Sequence, residues 1–254
     1  MISSERKQII TDRVNTNGVV YTKDLMELFH VSGETIRRDF KALENSGLLK
    51  QVYGGAVKRS VPVQDKLPPY LQRAEVLKEE KMEIAQKAVS HVHEQMTIAM
   101  DSSTTNYYIL QALLEEFSNL TILTNSLSLT ALPEVKSSSN IILTGGLYVP
   151  EENCLGGPMA AEFLHNCHVD LYFMSCCGVS PDYGITDIGQ LNYSVKKAML
   201  SITDQVILVC PHDRFSVRAL LKVCDIDAVN LIITDHLLTE DIKKKYQNIG
   251  IPVY

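Results

Sequence analysis

No apolar run in this chain approaches the ~18–20 residues that a membrane-spanning helix needs. The opening residues Met1-Ile2-Ser3-Ser4-Glu5-Arg6-Lys7-Gln8 lack the apolar core of a signal peptide. A cytoplasmic protein, with no membrane partner, is therefore expected. Patterned cysteine is also missing: Cys154, Cys167, Cys176, Cys177, Cys210 and Cys224 contain no Cys-x-x-Cys pair. A chain of 254 residues has no need of a disulfide framework, so these thiols read as small hydrophobes, Cys176-Cys177 as core packing. An excess of positive charge is absent too. The net charge of −6 at first argues against a nucleic-acid partner.

The distribution of charge reverses that argument. Residues 1–60 carry ten basic and seven acidic side chains, a net +3, and the remainder carries −9. A basic head on an acidic body suggests a separate binding module. Within the head, Ile36, Phe40 and Leu43 recur at spacings of four and three, one apolar stripe of a helix. Ser32 suits its N-cap. Off the stripe lie Gly33, Glu34, Thr35, Arg37, Arg38 and Lys41, a basic, donor-rich face suited to base edges and phosphates.

Around this helix, Ser3 or Ser4 is expected to cap a helix reaching about Asn15, with Asn17-Gly18 ending it. Val19-Val20-Tyr21 is β-prone, and Thr22 is the next N-cap candidate, before the amphipathic Leu25, Met26, Leu28 and Phe29. Two helices joined by a short turn, the second one basic, make a helix-turn-helix. Asn45-Ser46-Gly47 stops the second helix; a strand over Leu48–Tyr53, a Gly54-Gly55 turn and Ala56-Val57-Lys58 then add a wing, with Lys50, Lys58 and Arg59 placed for phosphates.

Val31-Ser32-x-x-Thr35-Ile36-Arg37-Arg38-Asp39, Leu43-Glu44-x-x-Gly47-Leu48-Leu49 and Tyr53-Gly54-Gly55-Ala56 closely resemble the DNA-binding head of DeoR-family transcriptional repressors, which usually have His for Tyr53 and Leu for Phe40. The resemblance implies contact with double-stranded operator DNA through Thr22, Ser32, Gly33, Glu34, Thr35, Arg37, Arg38, Lys41, Lys50, Tyr53 and Lys58. The expected organisation is a winged helix-turn-helix domain over 1–58, a linker over 59–73 and a sensor domain over 74–254. Three prolines make Ser60–Pro69 read as extended and semi-stiff. Tyr70–His93 reads as one long helical stretch, in which His91 and His93 point to different sides and make a poor metal pair.

From Met96 onward, apolar β-rich runs (Thr97–Met100, Leu120–Thr124, Asn140–Thr144, Asp170–Cys177, Gln205–Cys210, Asn230–Thr234, Pro252–Val253) alternate with helical ones (Thr105–Phe117, Leu127–Leu132, Met159–Cys167, Tyr193–Ile202, Glu240–Gln247). This is the pattern of an α/β domain with a mostly parallel sheet, whose ligands bind beyond the strands' carboxyl ends. Five strand ends carry polar clusters: Asp101-Ser102-Ser103-Thr104-Thr105, where a helix start suits a phosphate; Thr124-Asn125-Ser126; Thr144-Gly145-Gly146; Gly178; and Cys210-Pro211-His212-Asp213-Arg214. Their convergence on one cleft is expected.

The same stretch resembles the DeoR family's sugar-phosphate sensor domain, a fold related to ribose-5-phosphate isomerase. The resemblance implies effector contacts from Asp101, Ser102, Ser103, Thr104, Thr105, Thr124, Asn125, Ser126, Gly145, Gly146, Gly178, Lys196, His212 and Arg214. Ser103 replaces the usual Gly of Asp-x-Gly-Thr-Thr, Pro211 stands where Asp is common, and Asn192 where Glu is frequent. The function expected is a DNA-binding regulator, a repressor of a carbohydrate operon, working as a homodimer or homotetramer without a cofactor and modulated by a phosphorylated sugar. The alternative is a sugar-phosphate isomerase-like enzyme with a base among Asp101, Asp182, Asp187 and Asp213. His165-x-Cys167-His168 offers only two neighbouring ligands for a metal and no remote partner.

Overall fold

A computed structural model describes residues 3–17, 19–45, 48–52, 54–58, 63–64, 68–132 and 139–254. The chain divides into two compact units, Met1–Val61 and Pro62–Tyr254.

The first unit runs α1 (Ser3–Asn17), β1 (Val19–Tyr21), α2 (Thr22–Phe29), α3 (Gly33–Asn45), β2 (Leu49–Val52) and β3 (Gly55–Lys58). The three strands form an antiparallel sheet in the order β1-β3-β2, so the helix-turn-helix carries its wing. The stripe of α3 lands as its spacing predicts: Ile36, Phe40 and Leu43 join Ile10, Val14, Leu25, Phe29, Leu49 and Ala56 in one core. His30, with φ 53°, makes the turn after α2 and donates its amide to Met26 O. Thr22 is not the cap of α2. It is the helix's first residue, Tyr21 holds the cap position without a side-chain bond, and the Thr22 amide donates to Gly54 O at 2.9 Å. Gly18, Ser46, Gly47 and Arg59 lie outside the described residues.

A charged pair is buried beside this apolar core. Asp39 of α3 accepts from Arg6 of α1 through Nε at 2.5 Å and Nη2 at 3.2 Å, both residues being buried. Gly54 takes the turn at φ 81°, while Gly55 belongs to β3, where a Cβ would lie 2.1 Å from Val20 O. Gly55→Ala is therefore expected to part β1 from β3 and to cost more than the ~1 kcal/mol of an average substitution. The check is the thermal midpoint of the first unit, which should fall while that of the second stays put.

The second unit opens with β4 (Val63–Gln64), α4 (Tyr70–Glu75) and α5 (Lys78–Val89), then β5 (Thr97–Met100), α6 (Thr104–Glu116), β6 (Thr121–Thr124), α7 (Leu127–Thr130) and β7 (Asn140–Leu143). It continues with β8 (Leu147–Val149), β9 (Cys154–Gly156), α8 (Pro158–Leu164), β10 (Val169–Met174), β11 (Gly178–Ser180), β12 (Gly184–Asp187) and α9 (Gln190–Ser201). β13 (Thr203–Val209), β14 (Arg218–Ala219), β15 (Leu221–Cys224), β16 (Leu231–Ile233) and α10 (Glu240–Gln247) complete it. Six strands make one parallel sheet in the order β16-β13-β10-β5-β6-β7. Alternation along each strand feeds two cores. Ile98, Met100, Leu171, Phe173, Ile207 and Val209 pack with α5 and α6 on one face; Ala99, Tyr172, Met174, Val206 and Leu208 pack with α8, α9 and Tyr246 of α10 on the other.

Two expectations are corrected. The stretch Tyr70–His93 is two helices, broken at Leu77, which takes φ 53°; His91 and His93 both lie past the end of α5. Pro252–Val253 is not a strand, for only Val253 makes an isolated bridge, to Ile232. Part of the expected linker is structured, since β4 pairs with β14 and Tyr70 of α4 is buried. A second sheet, β11-β12-β15, and the β8-β9 hairpin were not foreseen; their strands, three or four residues long, are too short to show a period.

Candidate functional sites

On the first unit, Ser32 caps α3: its Oγ accepts from the Thr35 amide at 3.3 Å and lies 3.0 Å from Thr35 Oγ1. Arg37, Arg38, Lys41 and Lys50 are exposed, and Thr35 and Thr22 half-buried. Glu34 stands 3.9 Å from Arg37 and 3.6 Å from Arg38. Exposed pairs of this kind are worth little and leave both guanidinium groups free to exchange Glu34 for a phosphate. Gly33 is a packing position, since a Cβ there would meet Met26 Sδ at 3.2 Å. Tyr53 and the Lys58 side chain lie outside the described residues.

In the second unit a cavity of about 270 Å³ opens over the sheet. β5 is followed in sequence by β6 and β7 on one side, and β10, β13 and β16 build outward on the other. The sheet's switch point is thus between β5 and β10, where a parallel sheet leaves a crevice. Ser102, Ser103, Thr104 and Thr105 enter the cavity after β5; Ser175, Cys176 and Cys177 after β10; Pro211, Asp213 and Arg214 after β13. Asp187, Asn192 and Lys196 come from the end of β12 and from α9, and Arg73, Lys81 and Glu152 close the far wall.

Of the residues expected at the effector site, Ser102, Ser103, Thr104, Thr105, Lys196 and Arg214 line this cavity. Asp101 lies beneath it, accepting from Tyr172 Oη (2.7 Å), the Ser175 amide (2.9 Å) and Asn106 Nδ2 (3.0 Å), with Lys196 Nζ at 3.0 Å. Thr124, Asn125, Ser126, Gly145, Gly146, Gly178 and His212 do not line it. β6 and β7 are on the wrong side of the switch point, so their ends reach the cavity only indirectly. Asn125 accepts from the Ser102 amide and donates to Asn192 Oδ1, bracing the loop. Thr124 Oγ1 donates to Met100 O, and a Cβ on Gly146 would lie 2.6 Å from Gly156 O, so both are packing positions. A Cβ on Gly178 would lie 2.5 Å from Val217 O, and His212 bonds Asp235 at 2.9 Å. Ser103 does not distort the turn: it is extended (φ −148°) and caps α6 by accepting from the Asn106 amide at 3.0 Å. Cys177 is buried, yet not inert packing, for its thiol donates to Asp187.

Charge sets the character of the cavity. Lys196 Nζ sits 3.0 Å from Asp101 and 2.9 Å from Asp187 and donates to Ser175 O and Oγ. Burial opposes its charge, but the two carboxylates outweigh burial and hold its pKa well above the ordinary lysine value. Burial likewise works against Asp187, and Lys196 outweighs it, lowering that pKa. Arg73 pairs with Glu152, whose pKa is raised by burial, and Arg214 stands 3.3 Å from Asp213. The Lys81 pKa is pushed down to about 8 by burial and by Arg214 and Arg73. Together with the hydroxyls at the start of α6, where helix geometry leaves amides without intrahelical partners, the cavity is equipped for a small anion bearing hydroxyl groups.

Residues 6–60 match the DeoR-like helix-turn-helix domain, and residues 77–236 match the DeoR C terminal sensor domain. The chain is 32% identical to the HTH-type transcriptional regulator GolR of Listeria innocua over 255 residues, covering 100% of this chain and 98% of that one. It is 31% identical to the L-fucose operon activator of Haemophilus influenzae, covering 94% of each. It is 29% identical to the glycerol-3-phosphate regulon repressor of Escherichia coli, covering 92% of each.

Proposed function

Because the chain belongs to the DeoR family of transcriptional regulators, we propose that α3 reads operator DNA from the major groove while a phosphorylated sugar held in the cavity sets the affinity for that DNA. The observation that carries the effector half is the cavity at the switch point, where Arg73, Lys81, Lys196 and Arg214 meet the hydroxyl-rich start of α6. A phosphoryl group suits that end of the cavity, and Asp187, Asp213 and Glu152 suit sugar hydroxyls. Relatives named for the glycerol-3-phosphate regulon and the L-fucose operon support a small carbohydrate-derived ligand.

In this reading Thr35, Arg37 and Arg38 reach base edges and nearby phosphates, and Lys41 and Lys50 contact phosphates. Each of Arg37→Ala, Arg38→Ala and Lys41→Ala should weaken DNA binding, and a residue that contacts phosphate should lower the slope of log affinity against log salt by roughly one. Fluorescence anisotropy over a salt series reads this directly; an unchanged slope removes that residue from the phosphate set. Paired half-sites require a homodimer or homotetramer. Exposed Ile142 of β7, Leu147 and Tyr148 of β8, and Met159 and Phe163 of α8 support self-association of the second unit.

An isomerase needs a free carboxylate base. Asp101 and Asp187 are both engaged with Lys196, Asp213 with Arg214, and Asp182 is exposed and does not line the cavity, which favours a sensor over a catalyst. The deciding experiment is binding to the chain's own upstream DNA with and without triose, pentose and hexose phosphates. Release by one ester but not by its free sugar supports the proposal. Turnover of an ester without any DNA binding overturns it.

A further inference from the structure

The six-stranded sheet ends in β16 on one side and β7 on the other. At β16 the edge is taken: the Ile232 amide donates to Pro252 O at 2.9 Å, and the Tyr254 amide donates to Ile232 O at 3.0 Å. At β7 no described residue pairs with the outer side. The bonds that β7 does make show which of its groups remain. The Asn140 amide donates to Leu120 O and the Thr144 amide to Thr124 O, and in a parallel ladder alternate residues face the same neighbour. Ile141 and Leu143 therefore turn their N–H and C=O groups outward, two donors and two acceptors without partners among the described residues.

Exposed edges are normally blunted by charge, by proline, by a bulge or by a covering segment. Asn140–Leu143 carries neither charge nor proline, and its pairing with β6 runs in unbroken register. No charged residue occurs from Asn140 to Pro150. The side chains beside the edge are apolar. Ile142 is exposed next to Leu123, on the sheet face that α8 covers. Met159 and Phe163, also exposed, stand one turn apart on α8, whose only charged residue is Glu162. A Cβ on Gly157 would lie 3.6 Å from Leu147, so β8 reaches the start of the same helix. Edge, hairpin and helix thus share one apolar border.

We propose that β7 seats a second copy of this chain, the two β7 strands pairing antiparallel about a two-fold axis at Ile142. This rests on the self-association reading above and deepens it by naming the contact. The outward groups have the spacing that a copy of the same strand requires. Ile141 exchanges two bonds with the partner's Leu143, Leu143 does the same with the partner's Ile141, and every outward group is satisfied. Ile142 then faces its own copy as a pair without main-chain bonds, where Cα atoms approach to ~4.5 Å and side chains are closest. A two-fold contact sets each residue near the axis against itself, so any charge there would meet its like. The uncharged run from Asn140 to Pro150 fits that occupant. Four bonds alone do not make a stable dimer, which buries ~800 Å² per copy; Leu147, Met159 and Phe163 extend the contact on the α8 face.

The test is sedimentation velocity of the full chain over a concentration series, beside three variants. Ile142→Lys opposes two ammonium groups at the axis and should halve the size of the wild-type particle, weakening its association at least ~100-fold. Leu143→Pro removes an outward amide that the β6 ladder does not use, a place where edge strands accept proline. It should weaken association ~10- to 100-fold, two hydrogen bonds per dimer, with the thermal midpoint of the second unit held within a few degrees. Ile142→Cys should form a covalent dimer under mild oxidation, because a Cα separation of ~4.5 Å lies within disulfide range; the wild type, whose six cysteines all lie outside β7, should not. If Ile142→Lys fails to fold, the crosslink and Leu143→Pro still decide. A wild type that self-associates while Ile142→Cys gives no covalent dimer and Ile142→Lys keeps the wild-type size overturns the β7 contact and leaves self-association standing. A wild type that is monomeric throughout the series overturns both.

Discussion

Arg6→Met should unfold the first unit while the second remains folded. Asp39 is buried and receives two hydrogen bonds from Arg6. Removing the arginine strands a carboxylate beside Phe40 and Ile36, a loss of ~3–5 kcal/mol for one partner of a buried pair. A domain of this size holds only a few kcal/mol of net stability in all, so the loss is comparable to the whole. Limited proteolysis should clip the variant ahead of an intact second unit, and operator binding should vanish. Arg6→Met combined with Asp39→Leu should recover much of the stability, since a buried pair replaced by apolar groups is often neutral or better. A single variant that melts like the wild type would show that the pair bears no weight.

The second large effect is expected at Lys196. Lys196→Met leaves Asp101 and Asp187 buried close together without their shared cation, again at ~3–5 kcal/mol. For a unit of this size that is a fall of roughly 6–20 °C in the thermal midpoint. Its pH dependence follows from the directions of the shifts. Asp187 is lowered in the folded state, so its stabilisation is present above the unfolded aspartate value of about 3.9 and lost as pH falls through the folded value. Lys196 is raised, so its share is complete below the unfolded lysine value of about 10.4 and declines above it. The gap between wild type and Lys196→Met should therefore be widest near neutrality and narrow below pH ~4, where the carboxylates no longer need a cation. Melting curves at pH 7 and pH 3.5 decide; a gap that does not narrow would place the defect in packing instead of charge.

What could be read ahead of the fold was whatever is local. The Ile36-Phe40-Leu43 stripe and the Ser32 cap depend only on neighbours within a turn, and both stand in the structure. Hydroxyls at a helix start single out Ser102–Thr105 for the same reason, and these line the cavity. The ends of β6 and β7 have equally good local chemistry but do not line it, and only strand order, a property of the whole sheet, puts them beyond the switch point. Arg73, Lys81 and Glu152 carried no usable signal. The helical pattern runs straight through Leu77, and it is the bend there, at a residue with no turn propensity, that carries α4 to the cavity wall. Arg6 and Asp39 are 33 positions apart, and nothing in either local pattern names the other.

The two-residue ladder between β4 and β14 has a mechanical side. Val63 and Gln64 pair with Arg218 and Ala219, and the Ala219 amide is tethered to Thr186 Oγ1 at 2.8 Å, next door to Asp187. From that pair of rungs the next link inward is the backbone carrying a partner of Lys196. The ladder thus ties the first described residues of the second unit to the strand that ends in Asp187, a wall residue of the cavity.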